Sequence, residues 1–245
     1  MTLTLTPLLG IPLIRHGDNL ADILVKSLQA TSVSLENDDI LVLAQKIVSK
    51  AEGRMVNLAT VTPSERAKEL AAQSEKDSRV VELMLRESNA ILRVRVGTII
   101  VEHKLGFICA NAGIDHSNVG FPPKTSEVSG DFGSLPAEDW VLLLPRDPDQ
   151  SSRVIREKVE SKTGKRIGVM IIDSHGRAWR IGTVGMCIGL SGLPAVVDER
   201  GWQDLFGYTL RITIVGVADE LAAAASLVMG QADELAAAAS LVMGQ

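Results

Sequence analysis

Cysteine is scarce: the 245-residue chain holds two, Cys109 and Cys187. Two thiols cannot build a disulfide framework or a four-ligand zinc knuckle, and they suit a reducing compartment, so a cytoplasmic protein is expected. Aromatic residues make up 3% of the chain, too few for the stacking platforms that hold single-stranded nucleic acid. An excess of basic charge is also missing, with 25 Lys and Arg against 30 Asp and Glu. No global field then draws the chain to nucleic acid or to an anionic membrane, although local basic clusters still suit phosphates. No apolar run reaches the roughly 18 residues of a membrane helix. Met1 to Leu9 alternates Thr and Leu without a basic region, so it reads as a strand and not a signal peptide. Neither nucleic acid nor membrane is expected as a partner.

The residues present are those of an ordinary globular chain, 46% hydrophobic and 22% charged, which excludes intrinsic disorder. The length fits one large domain or two small lobes. Asp18 is placed to cap a helix with Leu20, Ile23, Leu24 and Leu28 on one face. Ile40 to Leu43 reads as a buried strand. Thr62, Pro63 and Glu65 form a capping box, predicting one helix to about Glu87. Leu92, Val94 and Val96 alternate with arginines, predicting a strand with one wet face. Two more strands follow, Thr98 to Val101 and Phe107 to Ala110. Gly120 to Pro148 reads as a long excursion between lobes, holding the apolar run Trp140 to Leu144. Ser151 or Ser152 is the predicted cap of a helix ending at Gly164. Ile167 to Ile172 and Leu210 to Val217 read as buried strands.

Ala218 to Gln231 reads ADELAAAASLVMGQ, and Ala232 to Gln245 repeats it letter for letter. One reading is a helix lengthened by about four turns. The reading preferred here is a recent duplication or an assembly product that replaces the native C-terminus. The domain division is therefore 1–231, with 232–245 a copy not native to the fold.

Four places could carry chemistry. Asp173, followed by Ser174, His175, Gly176 and Arg177, stands after the strand Ile167 to Ile172. An Asp beside a hydroxyl at a strand end supplies hard oxygen ligands for Mg2+ or Mn2+, and an Asx-turn weighs equally. Asn111 to Asn118 is a second polar knot, holding Asp115 and His116; its alternative is a polar loop with Gly113 at positive φ. The histidines lack zinc-ligand spacing. Gln45, Lys46, Ser49 and Lys50 follow a strand and suit phosphate oxygens, but a solvated helix start is the commoner meaning of such a cluster. Gly182, Gly185, Gly189 and Gly192 form no Walker A or GxGxxG motif, and mark either close approach of a ligand or tight packing.

Together GIPLI at Gly10, IVSKAEGR at Ile47, PSERAKE at Pro63, NAGIDHSN at Asn111, the Asp173 to Arg177 block, GTVGMCIGLSG, DLFGYTL and VADELAAAASLVMGQ resemble the coenzyme F420-0:L-glutamate ligase family, in order over residues 7–231. The resemblance implies an α+β fold of mixed sheets with flanking helices, specific to the family and forming an intertwined homodimer. It implies a GTP-dependent ligase that joins L-glutamate to the lactyl phosphate tail of the deazaflavin F420-0 through an acyl phosphate, then adds further γ-linked glutamates. It places GTP on Ile11, Pro12, Leu13 and Ile14, on Gln45, Lys46 and Lys50, on Asn118, and on Met229, Gly230 and Gln231. It places a first Mg2+ or Mn2+ on Asp115 and Asp173, also the catalytic pair, and a second on Ser174 and Gln231, with K+ as a further candidate. Gln for the family's Glu at 231 keeps an oxygen ligand and drops a charge. The departure is the copied tail, which stands where the family has a Gly-containing loop and a strand. That leaves a second reading, a non-catalytic chain that binds deazaflavin or nucleotide through an incomplete site. A third, a phosphohydrolase using the same aspartates, would release phosphate from GTP without glutamate.

Overall fold

The computed structural model describes residues 3–117, 119, 139–230 and 238–243. In chain order these form β1 (Leu3–Pro7), α1 (Leu20–Ala30), β2 (Ile40–Ala44), α2 (Gln45–Ala51), β3 (Met55–Asn57), α3 (Glu65–Ser74) and α4 (Ser78–Glu87). Then come β4 (Ser88–Arg95), β5 (Thr98–His103), β6 (Ile108–Ala110), β7 (Trp140–Leu142), α5 (Pro148–Thr163), β8 (Gly168–Gly176) and β9 (Thr183–Ser191). The chain closes with β10 (Val197–Asp198), β11 (Ile214–Val215), α6 (Val217–Met229) and β12 (Ala238–Met243).

The main sheet runs β1-β12-β2-β8-β9, antiparallel except for the parallel pair β2 and β8. Ile40 to Leu43 is apolar throughout because both faces of β2 are covered. Leu41 and Leu43 meet Leu24 and Leu28 of α1, Ile47 of α2 and Val159 of α5. Ile40 and Val42 meet Leu221, Ala222 and Ala225 of α6. Each fully buried aliphatic side chain contributes roughly 1.5–3 kcal/mol. A second core lies beneath α3 and α4, where Leu70, Val81 and Met84 pack on Ile99 and Val101 of the β4-β5-β6 sheet. This is the expected α+β class with mixed sheets. No described helix is long and apolar enough to cross a membrane.

Several boundaries differ from the sequence reading, each for a local reason. Asn19, not Asp18, precedes α1; Asp18 instead accepts from the Arg15 N–H at 2.7 Å. The helix expected to run to Glu87 is two: Glu75 turns left-handed at φ +55, and Asp77 starts α4 by accepting from the Arg79 N–H. α5 begins at Pro148 behind the cap Asp147, so Ser151 and Ser152 lie inside it, while Gly164 ends it as expected. Leu210 to Val217 is not a buried strand: only Ile214–Val215 pairs, Ile212 is exposed, and Val217 opens α6. Part of the excursion, 120–138, falls outside the described residues, and Trp140–Leu142 pairs with β3. The glycines of β9 serve packing. A methyl group on Gly189 would lie 2.3 Å from Pro148 of α5, and one on Gly185 would lie 2.6 Å from the Ala222 carbonyl of α6.

The repeated tail is not one long helix. AASLVM at 224–229 is helical, whereas the same letters at 238–243 form β12, paired with β1 on one side and β2 on the other. Asp219 and Glu220 favour the start of α6 by facing its positive end. Gly230, at φ +69, ends it. Between β1 and β2 the second copy finds backbone partners on both edges, and that tertiary pairing outweighs the helical propensity of alanine.

Candidate functional site

β2 and β8 run side by side until Ala44 pairs with Ile172, so Gln45 leaves the sheet level with Asp173. Ligand groups gather in the crevice outside the carboxyl ends of parallel strands. β8 then continues to Gly176 against β9 alone, so Asp173, Ser174 and His175 lie within a strand and not in an Asx-turn after one. The second sheet brings the other half of the site. Asn111, Ala112 and Gly113 all adopt positive φ, where only Gly113 was expected to do so. The Asn111 side chain accepts from the Ile99 N–H at 3.0 Å and anchors this turn. Asp115 follows, held by paired backbone hydrogen bonds of 3.0 and 2.9 Å to Leu142.

These segments enclose a cavity of about 950 Å³ that both aspartates line, together with Gln45, Lys46, Ser174, Met229 and Gly230. The Gln45 amide donates to Asp115 Oδ2 at 2.8 Å, and Ser49 Oγ fixes that amide by donating to its oxygen at 2.9 Å. Lys46 Nζ lies 3.6 Å from the same carboxylate oxygen and donates to the Ser117 carbonyl and hydroxyl. Asp173 Oδ2 lies 3.1 Å from His175 Nε2, whose ring packs on Phe107. Burial pushes the Asp115 carboxyl above the usual range; Lys46 opposes this, and the charge of Asp173 adds to it. Burial likewise raises the thiols, Cys109 to about 11 and Cys187 to about 12, so neither is a thiolate nucleophile near neutrality.

The remaining assigned residues lie elsewhere. Ile11 and Ile14 are buried in the core under α1, and Pro12 and Leu13 are exposed beside them; none lines the cavity. Lys50, one turn beyond Lys46 on α2, is only 4% exposed and also stands off the cavity wall. Asn118 and Gln231 fall outside the described residues. The sequence reading missed Arg93 and Ser117 as cavity residues. Ser117 lay inside a motif already singled out. Arg93 gave no local signal, because its place depends on a shift in the register of β4 against β5 between Ile91 and Arg93.

The donor chemistry fits a hard divalent cation. Two carboxylates and the Ser174 hydroxyl line one cavity, and a cation would offset both the burial that raises Asp115 and the smaller contribution from the charge of Asp173. Among the described residues no three of His, Cys, Asp and Glu converge as a metal site. A cation here would take its remaining ligands from hydroxyl, carbonyl, phosphate or water oxygens.

The fold and site define an α+β class of protein in which two carboxylates line a cavity at a strand end. The sequence places the chain within it: the model of the F420-0:gamma-glutamyl ligase family matches residues 9–241, and the chain belongs to that family. It is 44% identical over 216 residues to the coenzyme F420:L-glutamate ligase of Methanopyrus kandleri, covering 88% of this chain and 77% of that protein. The proteins of the same name from Methanothermobacter thermautotrophicus and Archaeoglobus fulgidus are 43% and 42% identical over 229 residues. Each alignment covers 94% of this chain, with 84% and 83% of those relatives.

Proposed function

We propose that this chain joins L-glutamate to the deazaflavin F420-0, using GTP and a divalent cation. The observation that carries the reading is the convergence of Asp115, Asp173, Gln45 and Lys46 on one cavity, from motifs distant in sequence. A carboxylate oxygen of the acceptor tail attacks the γ-phosphorus of GTP, the bond to the β-phosphate oxygen breaks, and GDP leaves. The glutamate amine then attacks the acyl carbon of the acyl phosphate. Inorganic phosphate leaves, the amine gives up its proton, and an amide remains.

Asp115 and Asp173 would hold Mg2+ or Mn2+, which when bound neutralises polyphosphate charge. Ser174 with Gln231 would hold a second ion, and K+ is a further candidate. Lys46 supplies a point charge to the phosphates, and Gln45 keeps the Asp115 carboxylate oriented through its 2.8 Å bond. Lys50 and the Ile11 to Ile14 segment take the nucleotide in this reading, as do Asn118 and the Met229 to Gln231 end of α6. No side-chain nucleophile is required, in keeping with the raised thiols.

The protein works as a homodimer in the cytoplasm in this reading. Support for the dimer comes from the ribbon joining β10 to β11, where Leu205 is 97% exposed and Phe206 95%, with Trp202, Tyr208 and Ile212 exposed beside them. A monomer rarely leaves such a patch to water.

The experiment measures GDP released from GTP with glutamate and deazaflavin supplied together and each omitted. Release that needs both is expected. Release without glutamate would establish the phosphohydrolase, and deazaflavin or nucleotide binding without any release would establish the non-catalytic chain.

A further inference from the structure

We propose that the cavity-facing side of the β4-β5-β6 sheet holds the deazaflavin acceptor, with Arg93 clamping the anionic tail. The proposal rests on the ligase reading and adds a binding surface to it. In β5 the side chains alternate: Ile99, Val101 and His103 face the core, while Ile100 faces the other way into the cavity. In β4, Ile91 pairs with Val101 on the core side. A regular strand would carry Arg93 to that same side, since side chains two apart share a face.

A register shift between Ile91 and Arg93 prevents this. The extra residue, Leu92, turns outward, and Arg93 comes to pair with Ile100 on the cavity side. Bulges of this kind re-aim a side chain beside a site. Ile100 pairs in turn with Ala110, so Arg93, Ile100 and Ala110 form a row across three strands, with Ile108 at its border, and all four line the cavity.

This surface is apolar with a single cation at one end. Of the other cations lining the cavity, Lys46 is engaged with Asp115 and Ser117, and Arg177, just past β8, donates to the Ile181 carbonyl at 3.4 Å. Arg93 has no ion pair or hydrogen bond among the described residues. A flat fused ring needs an apolar floor, and a phosphodiester or carboxylate tail needs a guanidinium fork. The acceptor carries both. GTP also has a ring and phosphates, but its phosphates would take Lys46 and a cation held by Asp115 and Asp173.

The test is titration of the intrinsic fluorescence of the deazaflavin against the full chain, with KM for acceptor, GTP and glutamate measured in parallel. Arg93→Ala should weaken deazaflavin binding at least about tenfold, and Arg93→Lys should recover part of the loss. KM for GTP and for glutamate should change less than about threefold. Ile108→Asp, at an exposed border position, should weaken deazaflavin in the same way without lowering Tm. Unchanged deazaflavin binding in Arg93→Ala, or a loss confined to GTP or glutamate, would overturn the placement while leaving the ligase reading intact. A wild-type chain that binds no deazaflavin and releases no GDP would remove the ligase reading itself.

Discussion

Asp115 and Asp173 reach the cavity by different routes, one just past a turn of three left-handed residues and the other inside a strand. Asp173→Asn keeps the shape and the acceptor oxygen but removes the charge that a cation requires. Glutamate-dependent GDP release should fall at least about 10²-fold, with Tm within a few degrees of wild type; full turnover would sink the metal assignment. Gln45→Ala should lower activity less, because it removes the bond that orients Asp115 and leaves the carboxylate; the apparent affinity for Mn2+ should fall about 10- to 100-fold. His103 gives a prediction on pH. It is buried on the core side of β5, where burial holds its pKa below 6.5. Between the folded and unfolded pKa values the unfolded chain binds more protons, so stability is full above pH 6.5 and lost as pH falls toward the folded value. His103→Phe should flatten that acid-side loss in denaturant midpoints measured from pH 5 to 8. The two aspartates were singled out in the sequence because each stands beside small polar residues after an apolar run, and the fold brings both to one cavity. Arg93 was not, because alternation in β4 says nothing about a one-residue shift against β5.

At the scale of elements, apolar runs and caps were legible where a single local rule decided the outcome. Ile40 to Leu43 became β2, and Gly164 closed α5 at φ +69. Where tertiary partners decide, local pattern failed. The identical AASLVM segments adopt opposite structures, and Leu210 to Val217 gives up pairing to an exposed ribbon. β12 fills the gap between β1 and β2, so removing it bares strand edges on both sides. Truncation after Gln231 should therefore lower Tm and promote aggregation, as measured by calorimetry and light scattering; unchanged Tm would mean that β12 contributes nothing. Ser240→Pro, which removes a backbone donor in the middle of that sheet, should destabilise by about 3 kcal/mol or more in chemical denaturation.

For the molecule as a whole, the main sheet and the smaller β4-β5-β6 sheet meet at one cavity, and the exposed ribbon between β10 and β11 stands apart from both cores. If the ribbon joins two copies, Phe206→Asp with Leu205→Asp should halve the mass seen by sedimentation while leaving each chain folded. The central claim is that the cavity couples GTP cleavage to glutamate transfer. The most direct measurement incubates the full chain with GTP, Mn2+, L-glutamate and F420-0, then follows GDP by chromatography and the acceptor by mass spectrometry. The account predicts one GDP for each glutamyl residue gained by the acceptor, and none when glutamate or acceptor is left out. GDP formed without a heavier acceptor, or at the same rate without glutamate, would contradict it.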